Sequence, residues 1–393
     1  MISKKTLPFP LTPLLLLVGI FYLNFISRVV LAPLLPVIEK DLGLGHGEAG
    51  SLFLFIASGY GVGLFGSGFI SSLVSHRRAI LLSTIMVGVA MLAISRSPSM
   101  SWMHVGLVFV GIFAGLYLPS GIATLTDMIS KEHWGKAIAI HELAPNLGFV
   151  TAPFLSEALL KIFSWRDGLA ILGICTILMG VLFLASGGGG KYKGEPPRFQ
   201  SMYKIVRNPF FWIMAILFTI SVSSSMGVYM MMPLYLVSEI GMDRGLANTI
   251  IGLSRLFGII VLFLSGVITD RFGHQRAMTL FLATNGVLTL LLGLIHGSKI
   301  TPSLIFLQAA SAACLFPVGF TVISLIFPSA LRSTAVSFIV LFGFILGAGV
   351  IPTGIGYWAE TFSFSSGFSL LGVLFLTLLP ISLRIKSKTN LSE

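Results

Sequence analysis

The sequence predicts an all-α membrane protein with about twelve transmembrane helices in two parallel-repeat bundles of six. The chain of 393 residues is 55% hydrophobic and only 10% charged, whereas soluble domains contain roughly 25% charged residues. Long apolar runs recur from one end of the chain to the other. Features of the first half also return about 198 residues later in the second half.

Polar residues, glycine or proline bound each apolar run, and most runs approach or exceed the roughly 20 residues that a spanning helix needs. Between the sixth and seventh runs, a stretch opens with four glycines and carries five basic residues, as expected of a solvated linker. The runs lie at about 11–38, 48–70, 79–95, 102–126, 136–160, 168–186, 210–237, 245–268, 277–296, 302–327, 334–358 and 366–384. The predicted domains are an N-terminal bundle (1–186), a cytoplasmic linker (187–209) and a C-terminal bundle (210–393).

The distribution of basic residues predicts the orientation. Lys4 and Lys5 precede the first run, but no small-residue cleavage site follows and the run is too long for a signal peptide. We therefore expect an uncleaved first span. With both termini cytoplasmic, 17 of the 25 Lys and Arg residues lie in inner segments and 6 in outer loops. The positive-inside rule favours this orientation in a cell inner membrane.

Several classes of function lack support in the sequence. The two cysteines, Cys175 and Cys314, lie in apolar runs and suggest neither a disulfide framework nor a metal site. No phosphate-binding loop or catalytic triad is visible, so we expect no enzyme activity and no cofactor. The net charge of +11 is spread over short loops, so we expect the bilayer, and no nucleic acid, as the partner. A monomer is predicted.

Three pairs of features share nearly the same spacing in the two halves. The segment from Gly68 to Ala79 aligns with the segment from Gly266 to Ala277 at an offset of 198 residues. The other pairs are Pro119 with Pro317 and Pro153 with Pro352. An even number of spans in each half makes the repeats parallel, which is typical of a transporter.

The segment from Gly266 to Arg276 resembles the cytoplasmic loop signature G-x-x-x-D-R-x-G-x-x-R of the Major Facilitator Superfamily. The resemblance extends over essentially the whole chain, although Ser72 replaces the usual aspartate in the first-half copy. It implies two six-helix bundles that rock about a central site, with spans 4 and 10 lining the cavity. The implied gating residues are Gly68, Arg77, Arg78, Gly266, Asp270, Arg271, Gly273 and Arg276.

Arg28 and Arg255 lie in the middle of the first and eighth runs. A guanidinium at that depth costs roughly 2.5–3.5 kcal/mol on insertion scales, so it marks a functional-site hypothesis. We predict that the two arginines clamp a small organic anion, such as a carboxylate, from opposite halves. The alternative is structural: Arg28 pairs with a helix end or a carboxylate, and Arg255 caps a kinked backbone or belongs to the gating loop.

Other polar residues in the runs are candidate substrate ligands. Asn24 and Asn248 lie on the same helical faces as Arg28 and Arg255, respectively. Asn146 lies one turn deeper than Glu142, and the family resemblance places Tyr117 and Gln308 in cavity-lining spans.

His141 and Glu142 in the fifth run are candidates for a proton relay. Alternatively, Glu142 pairs with Arg77, Arg78 or Lys136 and closes the inner gate.

The sequence therefore predicts a secondary transporter for a small organic anion, with proton symport as a further expectation. An efflux pump for amphipathic compounds is the first alternative, with the arginines structural. A non-transporting membrane receptor or scaffold is the second.

Overall fold

The computed structural model describes residues 11–196, 199–295, 297 and 299–384. Over these ranges the backbone forms helices and connecting turns, and no strand. Five basic residues used in the orientation count lie outside the described residues: Lys4, Lys5, Arg198, Lys386 and Lys388.

The described residues contain twelve helical segments long and apolar enough to cross a membrane, which confirms the predicted number of spans. Helical geometry pairs backbone N–H and C=O groups within each segment, as a lipid environment requires. Spans 1 to 12 are Leu11–Leu42, His46–Leu73, His76–Ser95, Met100–Met128, Lys131–Leu160, Trp165–Ser186, Pro209–Glu239, Arg244–Phe272, His274–Leu294, Ile300–Ile326, Thr334–Thr361 and Phe364–Leu383. The linker contains one short helix, Phe199–Val206.

Contacts between residues divide the described chain into two compact units. Unit 1 consists of 11–29, Gly59–Phe149 and 162–196. Unit 2 consists of Val30–Ser58, Val150–Lys161 and 199–384. The division runs across spans 1, 2 and 5; the two predicted six-helix bundles stay a prediction.

Unit 1 has an apolar core built around Tyr117, whose side chain is fully buried among Leu17, Phe21 and Phe183. Spans 2 and 4 approach closely in this unit because glycine lies where they meet. A Cβ atom placed on Gly63 would lie 2.0 Å from the carbonyl oxygen of Ile112. Small residues at such contacts let two backbones pack directly against each other.

Unit 2 contains three π-helical segments: Ser223–Gly227 and Tyr235–Glu239 in span 7, and Phe344–Val350 in span 11. Spans 7 and 11 meet at two of them, since a Cβ on Gly227 would lie 2.7 Å from the carbonyl oxygen of Gly347. A π-helical turn disturbs the regular i to i−4 hydrogen bonds, and such turns are frequent at functional sites. Their carbonyl groups become available to side-chain donors.

Candidate functional site

Arg28 is buried in unit 1, with 3% of the residue exposed. Its Nε donates to the backbone oxygen of Asn24 at 3.4 Å. The guanidinium carbon lies 4.2 Å from the ring centroid of Tyr60 and 5.1 Å from that of Phe25. A cation over an aromatic face is stabilised by about 0.5–2 kcal/mol, more when it is desolvated. These groups orient the guanidinium.

Asn24, predicted as a substrate ligand, joins two spans of unit 1. Its Nδ2 donates to the backbone oxygen of Ala114 at 3.1 Å, which fastens span 1 to span 4. The backbone oxygen of Asn24 also accepts a hydrogen bond from the Ser27 hydroxyl at 2.8 Å. Asn24 therefore lies beside Arg28, as the helical spacing predicts, and fixes the turn that carries it.

Arg255 is buried in unit 2 and contacts the first π-helical segment. Its Nη2 donates to the backbone oxygen of Ser225 at 2.8 Å, and its Nη1 to the hydroxyl of the same residue at 3.3 Å. The guanidinium carbon lies 4.8 Å from the ring centroid of Tyr229. The contact with Ser225 is the backbone capping that the structural alternative predicts. It also gives the guanidinium a fixed direction.

Gln308 reaches the same π-helical segment from span 10. Its Nε2 donates to the backbone oxygen of Ser224 at 2.8 Å. On span 9, the Nδ2 of Asn285 donates to the hydroxyl of Ser311 at 2.8 Å. Gln308 and Arg255 thus donate hydrogen bonds to adjacent residues of one distorted turn. The structure therefore brings these two predicted residues together in unit 2.

Asn248 belongs to a different cluster in unit 2, which we call the carboxylate latch: Glu157, Arg244, Asn248 and the backbone oxygen of Pro33. The two oxygens of Glu157 accept hydrogen bonds from Nε and Nη2 of Arg244, at 2.8 and 3.1 Å. Nδ2 of Asn248 donates to Oε1 of Glu157 at 2.6 Å and to Pro33 at 3.3 Å. The latch joins spans 1, 5 and 8 within unit 2.

Glu157 is not among the residues predicted from the sequence. A carboxylate inside an apolar run is itself a signal, because such a group is retained only with a partner or beside water. The sequence also contains a basic residue that could be the partner of this carboxylate, Arg244 at the start of span 8.

His141 and Tyr117 lie together in the core of unit 1, both with 0% exposure. The Tyr117 hydroxyl is 2.7 Å from the backbone oxygen of Leu17 and 2.9 Å from Nε2 of His141. Nδ1 of His141 lies 3.3 Å from Oε1 of Glu142. Nδ2 of Asn146 donates to the backbone oxygen of Glu142 at 2.9 Å. Four of the predicted residues therefore form one cluster.

The first-half gating loop holds the beginning of the linker in unit 1. The backbone N–H of Arg77 donates to Gly190 at 2.8 Å, and its Nη2 donates to the backbone oxygen of Leu184 at 2.9 Å. The N–H of Gly190 donates to Asp127 at 3.0 Å. Burial raises the pKa of Tyr192 in this linker segment, and the nearby carboxylate of Asp127 raises it further. Arg78 is exposed.

The second-half gating loop is more open. Gly273 ends span 8 with a φ of +82°, a conformation that strongly favours glycine over residues with a Cβ. Asp270, Arg271 and Arg276 are exposed, and a Cβ on Gly266 would meet no atom within 4 Å. Among the residues that the structure describes, no cluster of three His, Cys, Asp or Glu side chains could hold a metal ion.

A sequence model of the Major Facilitator Superfamily matches residues 17–306, well over half of the chain. The chain belongs to the Major Facilitator Superfamily. The predicted family and the twelve-span helical fold are confirmed. The protein is thus a secondary transporter of that superfamily, and its family and fold are those of transporters rather than enzymes.

Curated relatives are distant. The chain is 23% identical to the membrane sensor protein UhpC of Escherichia coli K12 over 77% of its own length and 73% of UhpC. It is 21% identical to the probable L-galactonate transporter of the same strain, over 66% of its own length and 61% of that protein. It is 20% identical to the probable nitrate transporter NarT of Staphylococcus haemolyticus, over 65% of its own length and 66% of NarT.

Solved structures share the fold. A bacterial homologue of the human lysosomal transporter Spinster, in an inward-facing and occupied conformation, matches with a TM-score of 0.82 and 17% identity over 97% of both chains. A POT family transporter in complex with a thioalcohol-conjugated peptide matches with a TM-score of 0.80 and 14% identity. That match covers 95% of this chain and 96% of the POT chain.

Proposed function

We propose that this transporter carries a small organic anion, with a carboxylate as the favoured class, and that Arg28 and Arg255 are its substrate-binding cations. The observation that carries the proposal is the burial of two guanidinium groups in apolar spans, at 3% and 9% exposure. A charge buried at this depth is expensive unless it serves a partner or a wet cavity. The prediction that both groups face one chamber stays a prediction.

The contacts of each arginine suit this role. Aromatic faces and backbone oxygens hold the guanidinium groups in fixed directions. The planar fork of arginine matches the geometry of a carboxylate and can bind it through two parallel hydrogen bonds. The net positive charge of +11 also favours an anionic substrate over a cationic one.

The names of two relatives favour an anionic substrate. One relative is a probable L-galactonate transporter and another a probable nitrate transporter, and both named substrates are anions. A third relative, 24% identical over 39% of this chain, is the glucose transporter GlcP of Staphylococcus epidermidis.

Counterflow in proteoliposomes tests the proposal. Purified protein is reconstituted and screened for exchange of radiolabelled carboxylates, phosphonates, neutral sugars and amphipathic cations. We expect exchange of acids alone. Arg28→Gln and Arg255→Gln should each reduce it by at least tenfold, because a hydrogen bond to a charged group contributes about 1.5–3 kcal/mol. Arg96→Gln, an exposed position, is the matched control.

The outcomes separate the alternatives. Exchange of amphipathic cations that survives both arginine substitutions would support an efflux pump with structural arginines. Binding of acids without any exchange would instead favour a sensor, the role that the name of UhpC gives. We further propose that uptake is coupled to protons through His141 and Glu142. Uptake that a proton gradient does not accelerate would contradict this coupling.

A further inference from the structure

The hydrogen bonds around His141 determine which of its two ring nitrogens carries a permanent hydrogen. The Tyr117 oxygen is 2.7 Å from the backbone oxygen of Leu17. A carbonyl oxygen can only accept, so the single hydroxyl hydrogen of Tyr117 must point at Leu17. Toward His141, 2.9 Å away, the same hydroxyl oxygen is then an acceptor. Nε2 of His141 must therefore be the donor and keep its hydrogen.

Packing holds the imidazole ring of His141 in this orientation. The imidazole is stacked on Phe21, with centroids 4.5 Å apart and the planes 13° from parallel. It also lies nearly parallel to the Tyr117 ring, at 14° and 5.8 Å. A ring flip would place Nδ1 against Tyr117 and move the Nε2 hydrogen away from its acceptor. The stack and the Tyr117 oxygen together fix both the orientation and the tautomer.

The second nitrogen, Nδ1, is consequently the one left to gain or lose a hydrogen, and it lies 3.3 Å from Oε1 of Glu142. A hydrogen bond between them needs one proton, carried either by Nδ1 or by the carboxyl group. Without that proton, a lone pair faces a carboxylate and the contact is repulsive. With it, the pair has no net charge and is attractive. The contact therefore depends on a proton.

We propose that His141 and Glu142 form the proton-binding site of this transporter, with Nε2 of His141 as a fixed donor to Tyr117 and Nδ1 as the exchanging nitrogen. A proton arriving from water forms an O–H bond with the Glu142 carboxylate. That bond breaks as the N–H bond of Nδ1 forms, which leaves an imidazolium and a carboxylate. Release to water reverses the two steps. The inference deepens the proton coupling proposed above and rests on it.

Exposure gives Glu142 the role of the entry group. Its side chain is 47% exposed, whereas the His141 side chain is fully buried. A carboxylate within a membrane span avoids lipid and faces water or the protein interior. Glu142 therefore gives a proton from water a route to the buried His141.

The spans packed around His141 contribute few other groups that could exchange a proton with it. Span 4 contributes Tyr117, and span 5 itself contributes Glu142. Span 1 contributes Phe21 directly, with Tyr22 packed against the surrounding core. Span 3 presents the apolar Ile80 to that core. Among these described neighbours, Glu142 is the acidic group that contacts the ring.

Hydrogen bonds connect His141 to spans 4 and 1. Nε2 of His141 holds Tyr117, and Tyr117 holds the backbone of Leu17 in span 1, eleven residues before Arg28. Making or breaking the proton-dependent contact changes the charge at one end of this chain of hydrogen bonds. Arg28, the proposed anion ligand, lies on the same span as Leu17.

Nitrogen-15 NMR of the full-length chain in lipid bilayers, labelled at histidine, tests the proton assignment. The His141 signals are identified as those missing from His141→Gln and retained in His133→Gln. We expect Nε2 to remain protonated from pH 5 to 9 and Nδ1 to change from protonated to bare as the pH rises. A bare Nε2, or an Nδ1 signal constant over this range, would overturn the proposal. This measurement needs no substrate, so it stands even if anion transport fails.

A transport assay tests the relay. In Glu142→Gln, the amide cannot pass a proton to Nδ1, so uptake driven by a proton gradient should fall at least tenfold while counterflow at equal pH is retained. Glu132→Gln, which removes an exposed acid at the start of span 5, should match the native chain. Gradient-driven uptake that is unchanged in Glu142→Gln would refute the relay. Loss of counterflow as well would also count against it, because that pattern indicates a substrate-binding or structural role.

Discussion

Neutralising Glu157 should release the carboxylate latch. The carboxylate accepts three hydrogen bonds from Arg244 and Asn248, between 2.6 and 3.1 Å. Buried bonds to a charged group contribute about 1.5–3 kcal/mol each. Here the side chains of Glu157 and Arg244 are 19% and 37% exposed, so solvent screening reduces the total. Glutamine also retains one acceptor. We therefore expect Glu157→Gln to reduce the stabilisation of the closed latch by about 1–2 kcal/mol.

This loss of stabilisation should increase the fraction of molecules in which the latch is open. A difference of 1–2 kcal/mol changes an equilibrium by a factor of about 5–30. A reporter cysteine at Ala247, which is fully buried beside Asn248, is introduced after Cys175 and Cys314 are replaced by serine. When closing is faster than labelling, the labelling rate follows the open population. Glu157→Gln should then be labelled about 5–30 times faster than its parent.

Two controls make the latch prediction decisive. Glu132→Gln, which removes an exposed acid at the start of span 5, should leave the labelling rate unchanged. Arg244→Gln should accelerate labelling, and the double variant should be no faster than the faster single variant, because both changes remove one interaction. An unchanged rate in Glu157→Gln, or fully additive effects in the double variant, would refute the reasoning.

Three further predictions concern packing, a turn and the linker. Gly63→Ala should lower the thermal unfolding temperature and Gly66→Ala should not, because the new Cβ meets Ile112 at 2.0 Å in the first case and no atom within 4 Å in the second. Gly273→Ala should destabilise the chain by about 1–2 kcal/mol in chemical unfolding, since its φ is +82°; an effect no larger than that of Gly266→Ala would contradict this. Asp127→Asn should speed proteolysis of the linker, because the acceptor for the Gly190 N–H is weakened; cleavage at the native rate would contradict it.

The sequence by itself determined the class, the number of spans and the family. The physical reason is that lipid offers no hydrogen-bond partners, so an apolar run of spanning length has essentially one solution, a helix. The repeat at an offset of 198 residues and the loop from Gly266 to Arg276 were visible without coordinates because both are patterns in the order of the residues. Arg28 and Asn24 also fall together as helical spacing predicts.

Only the tertiary structure decided which side chains meet. Glu157 and Arg244 are 87 residues apart in the chain, and Tyr117 and Leu17 are 100 apart. Helical spacing placed Asn248 with Arg255, whereas the packed structure gives its amide to Glu157. Such partners depend on how each helix is rotated against its neighbours. That rotation is set by close contacts such as Gly63 on Ile112 and by the π-helical turns of span 7, which no local pattern in this sequence specifies.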